Sequence, residues 1–199
     1  MRIAMLVALA LLLAACTTER QTEPQRTATE EMLISSAADR AVGELKLDVR
    51  GKTVFVDASN YKGLDAEYTV AAVRAQMLRN GARLAADRKT ADLVIEMRNG
   101  GQSIDQKEFL IGMPSFDVPI PLAGSFTFPK IALYDRAEDI GVSKLTVADY
   151  GGSNGAVIGS SGPVYGFAHD RRYKILIFIG WNDQDFHPDE DAGTNKGNN

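Results

Sequence analysis

The chain has 199 residues, 45% of them apolar and 24% charged, with a formal net charge of −4. That length and composition support a single packed domain. They exclude a nucleic-acid binder, which needs Lys and Arg massed on one face. With one cysteine and two histidines there is no internal disulfide and no metal cluster to build.

Arg2 is followed by eleven uncharged residues, Ile3 to Leu13, and then by Ala14, Ala15 and Cys16. A positive start, a short apolar run and a small-residue cleavage site make a secretory signal. The run is too short to cross a bilayer as a helix, which takes roughly 20 apolar residues, and no later stretch reaches that length. Leu13-Ala14-Ala15-Cys16 resembles the lipobox of bacterial lipoproteins. That resemblance implies removal of residues 1–15 and acylation of Cys16. It also explains a lone cysteine in an exported chain, where a free thiol is otherwise a liability. Thr17, rather than Asp, follows the cysteine, and by the same resemblance the anchored protein is expected on the periplasmic side of the outer membrane. Cleavage leaves 184 residues and, with Arg2 gone, a net charge of −5.

Residues 17–26 are polar and without periodicity, and read as a flexible tether between Cys16 and the folded body. Thr27 and Glu30 form a capping-box pattern. Behind them Ile34, Ala37, Ala38, Ala41, Val42 and Leu45 fall on one helical stripe, predicting a helix over about residues 28–46 that lies flat against a sheet. Residues 53–56 read as a strand. Ala66, Val70, Val73 and Met77 predict a second helix, with Asp65 as its N-cap and Asn80-Gly81 as its stop. A short strand at 83–85, one helical turn at 87–91 and an apolar strand at 93–97 follow.

The stretch from Asn80 to Gly100, NGARLAADRKTADLVIEMRNG, together with TATEEMLISSAADRAV from Thr27 and GVSKLTVADYGG from Gly141, is similar to a family of Gram-negative envelope lipoproteins known only as a domain of unknown function. The plan more distantly resembles TraT-type and curli-secretion lipoproteins, although no clear counterpart of a pore-forming segment is present. The resemblance covers most of residues 16–181. It implies a fold and an address, and no active site.

Residues 99–106 read as a polar loop in which Glu96, Arg98, Ser103 and Asp105 could converge at a strand end, as ligand sites in α/β sheets do. Residues 109–129 are the oddest stretch. Pro114, Pro119, Pro121 and Pro129 oppose helix and interior strand, yet Phe109, Leu110, Ile111, Phe116, Ile120, Leu122, Phe126 and Phe128 are strongly apolar. Either the segment wraps over the sheet and buries these groups, or it stays exposed as a contact for a partner or the membrane surface. Residues 131–135, 142–150 and 156–164 predict strands, with Gly141 and Gly151-Gly152-Ser153-Asn154-Gly155 as turns.

Gly159-Ser160-Ser161-Gly162 and His169-Asp170 bring Ser, His and Asp into the same region, but not in the G-x-S-x-G order of a nucleophile elbow. The run YKILIFIGW, residues 173–181, reads as a central strand or, alternatively, as an oligomer edge. Residues 182–199 read as a disordered acidic tail, in which Asp183, Asp185 and His187 hint at calcium ligation that Pro188 spoils.

The expectation is therefore a signal peptide (1–15), a lipidated cysteine and tether (16–26), one domain (27–181) and a tail (182–199). The domain is mixed α/β, or α+β: two helices on one face of a five- to seven-stranded mixed sheet whose C-terminal half is antiparallel. No catalytic residue, metal or cofactor is expected. The leading function is a non-enzymatic binding or scaffolding lipoprotein, held to the membrane by its N-terminal lipid and meeting a protein partner or further copies of itself. The alternatives are a subunit of an oligomeric secretion or transport assembly, and an envelope hydrolase.

Overall fold

The computed structural model describes residues 26–120, 124–176 and 178–186. Leu13, Ala14, Ala15 and Cys16, the tether up to residue 25, Leu122, and residues 187–199 lie outside them.

Helix α1 (Ala28–Gly43) opens with the full capping box: the Thr27 hydroxyl accepts from the Glu30 N–H at 3.2 Å, and the Glu30 carboxylate accepts from the Thr27 N–H at 2.7 Å. Leu33, Ile34, Ala37, Ala38, Ala41 and Val42 are its buried stripe. Strand β1 (Thr53–Asp57) leads to helix α2 (Ala66–Arg79), which buries Thr69, Val73 and Met77. Asp65 does not cap α2 through its side chain. It sits at φ 51°, and its carboxylate takes the Arg26 guanidinium at 2.8 and 2.9 Å instead. Gly81 ends the helix at φ 86°, where a glycine avoids the Cβ clash of the left-handed region.

Strand β2 (Arg83–Leu84) and a 3₁₀ turn (Arg88–Thr90), capped by Asp87, precede four long or paired segments. These are β3 (Leu93–Met113), β4 (Phe116–Ile120) with β5 (Gly124–Phe128), β6 (Ile131–Gly151) and β7 (Val157–Ile175), closed by β8 (Ile179–Gln184). The main sheet runs β2-β1-β3-β6-β7-β8 and is strongly curled. It is parallel across β2, β1 and β3 and antiparallel from β3 onward. Both helices pack on one face, over a core that joins Ala41 and Val42 of α1, Val73 and Met77 of α2, and Ile95, Met97, Leu145 and Val147 of the sheet. The protein is thus the mixed α+β domain expected, with a separate two-stranded β4–β5 hairpin.

The structure corrects four readings. Residues 99–106 are not a loop. They continue β3, with a bulge between Asn99 and Gly101. Gly141 is not a turn but the middle of β6, where a Cβ would strike the Leu33 backbone of α1. Residues 173–181 are not a central strand, because the chain turns at Leu176 (φ 51°) and makes the end of β7 and the edge strand β8. Residues 182–184 belong to that strand rather than to a tail.

Candidate functional site

Three glycine and helix contacts fix how α1 lies along the sheet. Leu33 lies over Gly141, Ala37 and Ala41 lie over Gly166 (paired with Ser143), and the Lys46 N–H donates to the Ser161 hydroxyl, at the level of Val147. Moving toward the start of α1 is therefore moving toward residue 131 of β6. Six residues of helix from Leu33 back to Thr27 rise ~9 Å, about three strand residues. Beyond that level no described helix covers the sheet. The distal parts of β3, β6, β7 and β8 form an uncovered arm.

Residues directly paired in an antiparallel ladder point to the same face. Because Gly141 faces α1, Arg136 and Tyr134 face away from the helices, and so do their paired neighbours. On this open face one row reads Phe109–Arg136–Tyr173–Trp181 and the next Ile111–Tyr134–Ile175–Ile179. Phe109 meets Tyr134 edge-on at 6.1 Å, Arg136 sits 5.9 Å over the Tyr173 ring, and Tyr173 stacks on Trp181 at 5.1 Å. Phe109 is 57% exposed, and Ile111, Met113, Ile131, Ile179 and Trp181 are exposed as well. The β7–β8 turn reaches the same end, since the Leu176 N–H donates to the Leu133 carbonyl at 3.0 Å, and it carries Phe178 at 82% exposure.

The β4–β5 hairpin extends this apolar end. Phe116 pairs with Phe128, Val118 with Phe126 and Ile120 with Gly124, so one face is wholly apolar. The other face holds Asp117 with Thr127 and Pro119 with Ser125, and the Thr127 hydroxyl donates to Asp117. Phe116 stacks on Phe128 at 4.9 Å and Phe126 meets Phe128 edge-on at 4.9 Å, yet Phe126 stays 51% exposed. Proline is tolerated because in a two-stranded ribbon both strands are edges.

Behind the apolar end lies a belt of charge. Glu138 receives Arg171 Nε at 2.8 Å, Arg136 at 2.8 Å and His169 Nδ1 at 3.2 Å, while Arg171 reaches Asp183 at 3.3 Å. On the helix face Arg172 joins Asp139 at 2.8 Å to Asp170, which Gln184 also contacts at 3.0 Å, and Lys130 joins Asp135 at 2.8 Å to Glu108. An open groove of about 260 Å³ lined by Lys107, Phe109, Arg136 and Glu138 marks where belt and apolar face meet. Arg40 of α1 holds Asp185 at 3.0 Å, and Asp185 accepts the His169 N–H at 2.8 Å, which pins the end of the described chain beneath the helix.

Two of these carboxylates titrate below their ordinary range. Burial alone would raise Glu138, but the Arg171 and His169 hydrogen bonds and the Arg136 and Arg171 charges outweigh it. Asp185 is lowered against burial in the same way by Arg40 and the His169 N–H. A folded-state value below the unfolded one means the unfolded chain binds more protons in acid. The stability these groups contribute is present above the unfolded carboxylate values near 4 and drains as pH falls through the folded ones. Thermal melts should be flat in this respect above pH ~5 and fall below pH ~4, with Glu138→Gln removing part of the slope.

Of the residues singled out from sequence, Phe109 and Ile111 lie exposed on the open face of the arm, and Phe116, Ile120, Phe126 and Phe128 share one exposed face of the hairpin inserted between β3 and β6. Leu110 lies on the helix face, half-buried. The wrapped alternative does not hold. Leu133, Phe178 and Trp181 are exposed at the same end. The sequence places Leu133 in a strand without marking its exposure, and the run holding Phe178 and Trp181 reads first as a buried strand and only alternatively as an edge. Glu96 and Arg98 pair at 3.1 Å, but Asp105 is nine residues further along one extended strand, ~30 Å away, so those four groups do not converge. Ser160 and His169 are separated in the same way along β7. Neighbours in a strand face opposite ways, so His169 meets Glu138 while Asp170 meets Arg172. Asp183 and Asp185 are taken by arginines, and among the described residues no group of three or more His, Cys, Asp or Glu could hold a metal ion. No described helix is long and apolar enough to cross a membrane.

Fold and site together define an α+β domain that roots an uncovered apolar β arm under two helices. Over residues 10–180 the chain matches a family of unknown function, DUF6655, and it belongs to that family. The match takes in both helices and strands β1 to β7, and ends at the second residue of β8. No curated protein matches the chain.

Proposed function

We propose that the protein is a lipid-anchored envelope lipoprotein without catalytic activity, whose β arm docks on an apolar surface near the outer membrane. The observation that carries this reading is the β4–β5 hairpin, one face of which is apolar, half-exposed and, among the described residues, outside the main sheet. Exposed apolar patches of this kind mark interaction sites, since a monomer gains nothing from displaying them. The anchor half of the reading rests on Leu13-Ala14-Ala15-Cys16.

Photo-crosslinking in intact cells from Val118 should give strong capture, and crosslinking from Lys89, on the 3₁₀ turn, should give little. Equal, weak yields at both positions would overturn the docking reading, and an unmodified Cys16 thiol in the mature protein would overturn the anchor.

A second reading, a subunit of an oligomeric secretion or transport assembly, is favoured by one observation. β1 covers β3 only as far as Glu96, so among the described residues no strand pairs with the outer edge of β3 from Met97 to Met113. It would show as a defined oligomer after mild detergent extraction.

A further inference from the structure

We infer that the surface the arm docks on is the lipid bilayer that holds the Cys16 anchor, with the apolar face of the β4–β5 hairpin lying in the membrane interface. The inference rests on the anchor reading above and names what the arm touches.

Direction and reach agree first. The described chain begins at Arg26, at the end of α1 that points along the sheet toward the arm. From Cys16 to Arg26 is ten residues, which span at most ~36 Å. From the level of Glu138 to Ile131 the arm runs ~23 Å, and the hairpin adds at most ~17 Å. With the hairpin lying flat in the interface the tether has only the ~23 Å of the arm to cover, within its ~36 Å limit, so an acyl group on Cys16 and the apolar end of the arm can enter the same surface.

Chemistry agrees second. Along the open face, from tip to base, the arm passes from aliphatic side chains to a Tyr134, Tyr173 and Trp181 layer that carries Arg136, and then to the Glu138, His169 and Arg171 cluster, while Lys130 and Asp135 lie on the other face. That order matches the order a membrane interface imposes, with aromatic rings at headgroup level and ions in water. The carboxylates at the base are matched by Lys130, Arg136, Arg171 and Arg172, so the attraction is apolar rather than electrostatic.

Backbone chemistry sets the depth. A two-stranded ribbon has unpaired N–H and C=O groups on both edges, and these cannot enter the hydrocarbon. The hairpin therefore lies flat, with Asp117 and Thr127 toward water and Phe116, Phe126 and Phe128 toward the acyl chains, in the manner of an interfacial amphipathic segment.

The test uses the whole lipidated protein reconstituted in phosphatidylethanolamine–phosphatidylglycerol vesicles carrying brominated acyl chains. Because Cys16 is the only native cysteine, a bimane label on Val118→Cys reports the hairpin and one on Lys89→Cys the far end. The expected result is at least twofold quenching at 118, none at 89, and little change between low and high salt. Phe126→Ser with Phe128→Ser should abolish the quenching while the protein stays with the vesicles and melts as before. No quenching at 118 in protein whose Cys16 is acylated overturns the inference and leaves the anchor standing. Quenching retained in protein with a bare Cys16 overturns the anchor alone. Absence of quenching together with crosslinks between labels at 118 assigns the surface to a second copy of the chain, and also overturns it.

Discussion

Gly166→Val is expected to lower the melting temperature by roughly 6–12 °C. A Cβ at Gly166 would land on the Ala37 carbonyl and crowd the Ala41 N–H of α1, and neither is a flexible side chain that can swing aside. Ala37, Ala38 and Ala41 are fully buried, so the helix already lies as close to β7 as its own small residues allow. Overpacking a filled core costs ~1–3 kcal/mol, and a backbone obstacle puts this site near the upper end. At ~2–4 °C per kcal/mol for a domain of this size, that gives the stated range. Gly43→Ala serves as the control. Nothing lies within 4 Å of its added Cβ, and alanine is the better helix former, so the melting temperature should stay level or rise slightly.

The same contact shows why parts of the fold are legible in the sequence and parts are not. Ile34, Ala37, Ala38, Ala41 and Val42 spell out a helix because each position is buried on one side, and helical periodicity is a record of burial. Their small size also announces the close approach to a sheet. What a small-residue helix requires of its partner is harder to read. Gly141 and Gly166 sit in strands because α1 leaves no room for a Cβ, yet glycine is also the commonest punctuator of turns, and so Gly141 reads as one. The arm fails to declare itself for a related reason. From Asn99 to Gln106 only Gln102 is buried and Ile104 partly so, among polar residues and glycines and with a bulge between Asn99 and Gly101, so the segment shows no apolar alternation and imitates a loop. The run at residues 173–181 errs the other way, since unbroken apolar character normally signals a strand buried on both faces. Here Leu176 turns the chain, and half the run stays exposed on an edge. In the hairpin the alternation of Phe116, Val118 and Ile120 was visible, but the prolines beside it argued against a strand. They are compatible with a ribbon that has no interior strand. Of the candidate site, the apolar composition of 109–129 was legible and its exposure was not, because exposure depends on where the two helices stop.

Phe116→Asp with Phe126→Asp is expected to weaken docking of the arm about 10³-fold while leaving the fold unchanged. Both rings are about half-exposed, stack on or meet Phe128, and lie outside the core cluster beneath α1 and α2, so that core should not register their loss. A melting temperature within ~2 °C of the parent checks that. The docking side follows from the area still available for burial. Full burial of a phenylalanine is worth ~1.5–3 kcal/mol, so a half-exposed ring retains ~1 kcal/mol to contribute. Setting a carboxylate against an apolar surface costs at least a similar amount again. Two positions give ~4 kcal/mol, which at 1.4 kcal/mol per tenfold is about three orders of magnitude. The two substitutions should not simply add. Phe116 and Phe126 both lean on Phe128 at 4.9 Å, and removing either one frees its ring to move. The single variants should therefore each cost more than half of the double, with a coupling of ~0.5–1.5 kcal/mol, the size expected for neighbouring aromatic pairs. Leu78→Asp, which charges an exposed leucine on α2 at the body of the domain, should leave docking within twofold of the parent. Equal loss in Leu78→Asp and in the hairpin variants would show that docking follows general surface hydrophobicity and not the arm.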